Sequence, residues 1–446
     1  MASTALGVQT VATRGVGKLG RALIFWYFIA IFTVFSLQIG DLRLTSFFAL
    51  PAAIAMFVRN LSSINRREVT LLAVLLSVAL LSVLAGVNAD LIGERAKSFG
   101  LFCYTIFMAY AVRLELGRAT RKDVSWISGW LVALILFAAV LEFLGPLKPI
   151  SDAFRIWNSP LVYDAEKRDL SIAGFIRPSV FTAEPSYVAT GLAAFAFAWF
   201  VSTRSPRRVV LLGLVTLITV YLVRSPISAI ILPPVALILL AGAFRQSSGT
   251  RRLRQTYFAA VTVVLAVPVT YVAFAGIFDS RGGLAGDQSL AVRLIAPPRI
   301  AAMVFSESPF LGVGLGGRDA LLVQMETVFN ELGLYRAVDY STNEMRLPNA
   351  FWEHWIYFGL LGGVVAAVAI FRYFRQLCPG NCAATALFLF LLANSLGAYT
   401  TPRIWSFATL VVMATALSNR EEAGDRPVVR GGKPVPQMAR LRGDFG

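Results

Sequence analysis

The stretch PFLGVGLGG, from Pro309 to Gly317, lies at the centre of the longest polar interruption in an otherwise apolar chain. This interruption runs from Phe278 to Trp352, and on both sides it is bounded by segments apolar enough to cross a membrane. A connection between two helices needs only a handful of residues. The stretch therefore predicts a functional loop that covers a membrane-embedded helical scaffold.

The composition predicts a bilayer protein. Of 446 residues, 57% are hydrophobic and 15% are charged, and the mean hydropathy is +0.68; a soluble domain carries about a quarter charged residues. The net charge of +16 would suit a nucleic-acid-binding protein, but its distribution along the chain favours a membrane instead. Three cysteines and one histidine make neither a disulfide framework nor a zinc site. We expect no metal, no cofactor and no nucleic-acid partner.

The apolar runs predict an all-α polytopic membrane protein with about twelve transmembrane helices. These spans form one integral membrane domain over residues 1–418, and the polar residues 419–446 predict a disordered basic tail. Two segments between spans are long, 146–185 and 278–351. The predicted spans are 22–40, 44–58, 69–87, 98–112, 125–145, 186–203, 208–223, 227–244, 256–277, 352–371, 383–400 and 403–418.

Basic residues sort onto one side of this map. With the N-terminus inside, the cytoplasmic segments hold 25 of the 41 basic residues and 7 of the 25 acidic ones, a net charge of +18 against −2 outside. The positive-inside rule then predicts that both termini are cytoplasmic and that both long loops are external. The cytoplasmic loops are short and carry no Walker-type glycine sequence, so we do not expect this chain to use ATP.

Three charged residues outside the large loop are candidates for chemistry. Arg177 and Glu184 close the first external loop, just before Pro185, which suits the first turn of a helix. They indicate a phosphate-binding arginine with a carboxylate that orients it or accepts a proton; the alternative is an interface anchor and a helix cap. Arg224 stands between two apolar runs, where it either faces substrate beneath the loops or snorkels to the interface.

The large loop and the helix after it supply the other candidates. Arg293 begins an amphipathic run that leads to the glycine-rich centre, and successive N–H groups there can cradle an anion. The segment that re-enters the membrane carries Asn349, a predicted substrate-binding residue. It also carries the single histidine, His354, which is either a proton acceptor or a hydrogen-bonded helix residue. Further predicted substrate-binding residues are Tyr187, Arg281, Arg299, Arg318, Gly312, Gly314 and Gly316.

Three of these motifs, in this order, resemble the O-antigen polymerase and ligase family of bacterial membrane glycosyltransferases. They are Arg177 followed by FTAEPS (181–186), Arg293 followed by SPFLGVGLG (308–316), and Asn349 followed by GLLG (359–362). The likeness covers the later part of the chain, together with the plan of many helices and a large late periplasmic loop. Ligases of this family usually carry a histidine directly before the asparagine; this chain has Pro348 there, which favours a polymerase.

The resemblance implies a membrane glycosyltransferase of GT-C-like fold in the bacterial inner membrane, acting on undecaprenyl-diphosphate-linked oligosaccharides without nucleotide or metal. Arg177, Arg224 and Arg293 would engage the diphosphate. Glu184 is the first candidate for the base and His354 the second, and in-line attack would invert the anomeric carbon.

The expected product is O-antigen, capsule or exopolysaccharide. The expected partners are membrane lipid, a chain-length regulator and a repeat-unit flippase. One alternative is a ligase that transfers glycan to a second acceptor. Another, from a different class, is a transporter of polysaccharide or lipid-linked sugar.

Overall fold

The computed structural model describes residues 15–33, 35–39, 42–85, 91–158, 176–205, 207–225, 291–316, 319–333, 349–378, 382–395 and 399–424. Within these residues the protein is mostly helical, with one antiparallel hairpin of strands β1 (Ser36–Ile39) and β2 (Leu42–Thr45). The helices are α1 (Gly17–Thr33), α2 (Leu50–Arg59), α3 (Arg66–Ala85), α4 (Ile92–Leu116), α5 (Arg121–Phe143), α6 (Lys148–Asn158), α7 (Pro185–Ser202), α8 (Arg208–Val223), α9 (Ala296–Glu307), α10 (Leu322–Glu331), α11 (Ala350–Leu377), α12 (Ala383–Ser395) and α13 (Pro402–Gly424). A π-helical turn, Ala291–Ile295, leads into α9.

Five described helices, α3, α4, α5, α7 and α11, are long and apolar enough to cross a membrane. Three shorter apolar helices lie at Phe47–Arg59, Val210–Val223 and Ala383–Asn394. The predicted character of a helical membrane protein is therefore confirmed, and a helix overlaps every predicted span that falls on described residues. The spans predicted at 227–244 and 256–277 lie outside those residues, so the total of twelve stays a prediction.

The first predicted span, 22–40, is wrong beyond Thr33. α1 ends there, and the chain turns into the β1–β2 hairpin, in which Ile39 is the partner of Leu42. The segments SLQI and LRLT alternate between apolar and polar residues on either side of a Gly-Asp pair, a pattern typical of hairpins. A hydropathy average does not register that alternation, which is why the prediction extended the helix.

Other boundaries move because charged or polar residues belong to helices. The span predicted at 98–112 is the 25-residue α4, which takes in charged residues at both ends. The tail predicted from residue 419 is also wrong at its start, because α13 continues to Gly424 and Glu421 lies 3.1 Å from Arg204. Residues 425–446 lie outside the described part of the chain.

α13 is the central helix of the described bundle. Every residue from Pro402 to Ser418 is buried, and the helix packs against α4 and α7. α7 is enclosed as well, and Phe32 of α1 lies so close to Gly191 that a Cβ there would meet its ring at 2.6 Å. Helices that are apolar on all sides belong inside a bundle, and small residues let them approach closely.

One end of the bundle, called the basic face below, gathers ends of α1, α2, α3, α4, α5 and α7. Here Arg21 lies 2.6 Å from Asp123, and Arg113 pairs with Glu68. The sequence assigned all of these segments to the cytoplasm, and they do lie together. The starts of α7, α11 and α13 consequently lie at the opposite end. The basic face consists of Arg21, Arg59, Glu68, Arg113, Glu115, Arg121 and Asp123.

Candidate functional site

A tight turn between α6 and α7 begins the site. Val180 and Phe181 have φ values of 44° and 59°, a left-handed conformation that residues other than glycine rarely adopt. Glu142, buried near the end of α5, stabilises it: Oε1 accepts from the amide of Ser179 at 2.9 Å and from its hydroxyl at 3.0 Å, and Oε2 accepts from the amide of Val180 at 2.7 Å. The sequence analysis did not single out Glu142, although a carboxylate inside an apolar run is a signal in itself.

α6 supports the same turn from the other side. The Ser151 hydroxyl accepts the Phe181 amide at 3.0 Å, and the rings of Phe154 and Phe181 meet edge-on with centroids 5.6 Å apart. Because α5 and α6 hold the turn in place, the turn fixes the positions of Arg177 before it and of Glu184 after it. The strain at the turn is thus opposed by specific contacts, as is usual where a backbone positions functional groups.

Glu184 does not act as a cap for its own helix. It occupies the position before Pro185, but its side chain accepts no capping hydrogen bond from α7. Instead, Oε2 accepts from the Ser186 hydroxyl at 2.9 Å and lies 3.4 Å from Nη2 of Arg293. The two side chains of this ion pair are 35% and 18% exposed, so solvent reaches both. Glu184 is thus the N-cap residue of α7 by position but not by a side-chain hydrogen bond, and its predicted role as a carboxylate that orients an arginine or accepts a proton stays a prediction.

Arg293 lies in the π-helical turn before α9, a type of turn that is frequent at functional sites. The Asn349 side chain, fully buried at the start of α11, donates to the Arg293 carbonyl oxygen at 2.8 Å and to that of Asn394 at 3.3 Å. Its Oδ1 accepts from the amide of Trp352 and so caps α11. In this conformation Asn349 positions Arg293, and its predicted substrate contact stays a prediction.

Arg177 and Arg224, predicted to face the same substrate, are in contact. Arg177 is buried, and its Nη1 donates to the Arg224 carbonyl oxygen at 3.4 Å. Arg224 ends α8 in a left-handed conformation, with φ 42° and ψ 41°, and its guanidinium lies 5.8 Å from the ring centroid of Tyr221. The contact between Arg177 and Arg224 places the end of α8 beside the turn before α7.

Arg403 is a residue of this region that the sequence analysis missed. It is 4% exposed in the first turn of α13, and its Nη2 donates to the Tyr187 carbonyl oxygen at 3.1 Å. The guanidinium carbon lies 3.8 Å from the centroid of the Tyr187 ring, a close cation–π contact. Arg403 also interacts electrostatically with Glu184 and Arg293. The available signal was an arginine at the edge of a long apolar run, which is costly unless it has a role.

The first turns of α11 hold the chain that leads to Arg403. Glu353 accepts the amide of Tyr399 at 2.5 Å, and Nδ1 of His354 lies 3.2 Å from the Tyr399 hydroxyl. Nε2 of His354 lies 2.9 Å from the carbonyl oxygen of Gly363. Both ring nitrogens of this buried histidine therefore have protein partners, as its interpretation as a hydrogen-bonded helix residue predicts.

The glycine-rich stretch docks onto a break in α11. Gly359 has φ 61° and ψ −170°, so the helix is interrupted there. The carbonyl oxygens of Ile356 and Tyr357 accept from the amides of Val313, at 3.0 Å, and Gly314, at 3.1 Å. Beyond the break, the amides of 360 and 361 donate to the carbonyl oxygens of 309 and 310. The loop thus replaces the helical hydrogen bonds that the break removes.

Two further amides of this stretch are also used within the protein. The Gly312 amide donates to the Ser308 carbonyl oxygen at 3.1 Å, and the Leu315 amide donates to the Ser82 hydroxyl at 3.2 Å. The predicted role of Gly312 and Gly314 as amide donors to an anion therefore does not hold in this conformation. Gly316 packs against Ser98, where any side chain would collide.

Other predicted residues lie outside this cluster or outside the described chain. Arg299 is half exposed, and its Nη1 lies 3.7 Å from Glu331. Arg281 and Arg318 fall on residues that the structure does not describe. In the described part of the chain, no group of three or more His, Cys, Asp or Glu side chains could hold a metal ion. No family model matches this chain, and no curated protein sequence matches it either.

Proposed function

We propose that this protein is a polysaccharide polymerase that joins undecaprenyl-diphosphate-linked oligosaccharide repeat units at the outer face of the bacterial inner membrane. The observation that carries the proposal is the convergence of Arg293, Glu184 and Arg403 at the end of the bundle opposite the basic face. Arg177 and Arg224 contact each other at the same end. Guanidinium groups gathered in this way suit a substrate that bears a diphosphate.

The side of the membrane follows from charge. If the basic face is cytoplasmic, as the positive-inside rule predicts, the arginine cluster faces the periplasm. A donor used there must carry its own leaving group, and a glycosyl diphosphate does. The resemblance of the three sequence motifs to O-antigen polymerases supports the same donor, since Arg177, Glu184, Arg293 and Asn349 all come from those motifs.

The chemistry assigns one task to each kind of group. An acceptor hydroxyl oxygen attacks the anomeric carbon while the bond from that carbon to the diphosphate oxygen breaks, and its electron pair leaves with undecaprenyl diphosphate. The hydroxyl proton passes to the Glu184 carboxylate. Arg293, Arg177 and Arg224 stabilise the charge that develops on the departing diphosphate, through short charge-assisted hydrogen bonds. Attack in line inverts the anomeric configuration.

Glu184 suits the role of base better than His354. Its carboxylate is about one-third exposed and is held by a hydroxyl and a guanidinium that a substrate can replace. His354 is buried, and both of its nitrogens are occupied by Tyr399 and Gly363. Proton transfer through His354 would first require those contacts to break.

The test uses the full-length protein in liposomes with lipid-linked repeat units as the only sugar substrate. We expect a ladder of products longer than one unit, and Arg293→Ala is expected to lose it. Arg204→Ala is the matched control, because Arg204 is an exposed arginine paired with Glu421 on the far side of the bundle.

Two outcomes would replace the proposal. Product that forms only when a second acceptor is added, one unit per acceptor, indicates a ligase. If wild-type protein moves repeat units across the bilayer without lengthening them, and Arg293→Ala stops that movement, the protein is a transporter. If a saturating supply of repeat units yields no ladder of products, the protein is not a polymerase.

A further inference from the structure

Arg403 is a buried cation whose hydrogen-bonding capacity is incompletely used. Its Nη2 donates to Tyr187 and its plane lies against the Tyr187 ring, yet its Nε is buried with no hydrogen-bond partner among the described residues. An arginine has five N–H donors in a fixed fork. A permanent charge placed so deeply is costly unless an anion compensates it.

The anion that compensates it also compensates Arg293. Glu184 lies 3.4 Å from Arg293 and interacts electrostatically with Arg403, while the two arginines repel each other. Two guanidinium groups therefore share one carboxylate. Glu184 is the more exposed member of its ion pair, and its contact with Arg293 is longer than the short distances of strong charge-assisted bonds. An external anion with more negative charge can displace it.

We propose that Arg293 and Arg403 form a two-guanidinium site for a phosphate-type anion, and that Glu184 occupies this site as an internal anion until the ligand displaces it. This inference rests on the function proposed above and deepens it. A diphosphate brings more charge and more acceptor oxygens than one carboxylate, and its arrival frees Glu184 from Arg293. When the diphosphate of the donor displaces Glu184 from Arg293, binding of the donor also releases the base.

The competition predicts opposite effects for two substitutions at one site. Arg403→Met removes a cation and weakens anion binding. Glu184→Gln removes the internal competitor and strengthens anion binding, even though a glutamine side chain keeps the size and one hydrogen-bonding oxygen of the native glutamate. If the two side chains only supported the fold, their substitutions would not change the affinity for the anion in opposite directions.

The experiment measures binding to the full-length protein in lipid nanodiscs by calorimetry. One arm adds inorganic pyrophosphate, and a second uses nanodiscs that contain undecaprenyl diphosphate. We expect at least tenfold weaker binding for Arg403→Met, a smaller loss for Arg403→Lys and several-fold tighter binding for Glu184→Gln. Binding in the second arm alone identifies the lipid-linked headgroup as the ligand, whereas equal binding in both identifies the free anion as sufficient.

The control is Arg121→Met, which removes another buried arginine at the opposite end of α7, where it donates to Val201 and Ser202. It should lower the unfolding temperature without changing anion affinity. The proposal is overturned if wild type binds neither probe, if Arg403→Met binds like wild type, or if Glu184→Gln binds more weakly than wild type. If Arg403→Met does not fold, the anion affinities of Arg403→Lys and Glu184→Gln test the proposal in its place. Anion binding of the expected pattern without any polymer ladder removes the polymerase function and leaves this site intact.

Discussion

Three arginines of the basic face pair with buried carboxylates on neighbouring helices, whereas Arg177 and Arg403 at the opposite end donate to carbonyl oxygens. Arg21 with Asp123 and Arg113 with Glu68 each join two helices through opposite charges. At the other end, the carbonyl oxygens of Arg224 and Tyr187 accept from Arg177 and Arg403. Arginines therefore hold helices together at one end and present positive charge at the other.

The carboxylates differ in the same way. Glu68, Glu115 and Asp123 are buried partners of cations, but Glu142 and Glu353 are buried acceptors of backbone amides. Such amide contacts fix the loops without neutralising an arginine. Glu184 is then the carboxylate that Arg293 and Arg403 share, and it is only partly enclosed. Buried carboxylates thus face arginines at the basic face and backbone amides at the opposite end, called the receiving end below, where Arg293 and Arg403 share Glu184.

A large effect on rate is expected from Arg293→Ala at the receiving end. Removing one stabiliser of developing charge costs about 10²–10³-fold in rate, while a partly exposed side chain contributes little to folding. We expect the rate of polymer formation to fall by that factor and the unfolding temperature to stay near that of wild type. A large loss of stability with unchanged activity per folded molecule would contradict the division between the two ends.

Arg113→Ala tests the other half of the comparison. It leaves the Glu68 carboxylate, 3% exposed, without its cation, and breaking a buried pair costs about 3 kcal/mol or more. We expect a clear drop in the unfolding temperature with unchanged activity per folded molecule. Arg67→Ala is the matched control, because Arg67 precedes Glu68 in the first turn of α3 but is exposed. Equal stability of the two variants would show that the pair does not hold α3 to α4.

Gly359→Ala tests the receiving end alone, because it disturbs the docking of the glycine-rich stretch onto α11. A Cβ there would lie 2.5 Å from backbone atoms of Phe310 and Gly312 at a left-handed φ, for a cost of about 2 kcal/mol. Gly362→Ala is the control, since its Cβ would make ordinary contacts at 3.4 and 3.5 Å. We expect thermal unfolding to be lowered by the first variant and not by the second. Equal effects would show that the docked loop contributes nothing.

A small effect on rate, less than tenfold, is expected from His354→Gln at the receiving end. The histidine bridges Tyr399 and Gly363, and glutamine can keep one of those hydrogen bonds. Loss of a general base costs about 10²–10⁴-fold, so a fall of less than tenfold, beside a far larger one for Glu184→Gln, assigns the proton to Glu184. The reverse order would make His354 the base.

Sequence alone identified four charged residues that share a short motif or interrupt an apolar run. Arg177, Arg224, Glu184 and Arg293 were found in this way, and the structure brings Glu184 to Arg293 across 109 positions of the chain. Hydropathy also located the long apolar helices, since a membrane span is long and apolar, but not the helices α6, α9 and α10 within the predicted loops. It did not find the β1–β2 hairpin, because its alternating residues average to an apolar segment.

What the sequence could not supply were partners far along the chain. The glycine-rich stretch predicted an anion cradle because its N–H groups had no visible acceptors nearby. The amides of Val313 and Gly314 donate to Ile356 and Tyr357, just before a break in α11 that only Gly359 hints at. Arg403 was assigned to a span for a similar reason: its neighbours in sequence are apolar, and Tyr187 and Glu184 approach it only in the fold.

The half of α11 before Gly359 contacts both segments that contain Arg293 and Arg403. Asn349 donates to the backbone of Arg293, and Glu353 and His354 contact Tyr399 in the segment that leads to Arg403. The spacing between Arg293 and Arg403 therefore depends on the position of this half-helix, which ends at Gly359 where the glycine-rich stretch docks.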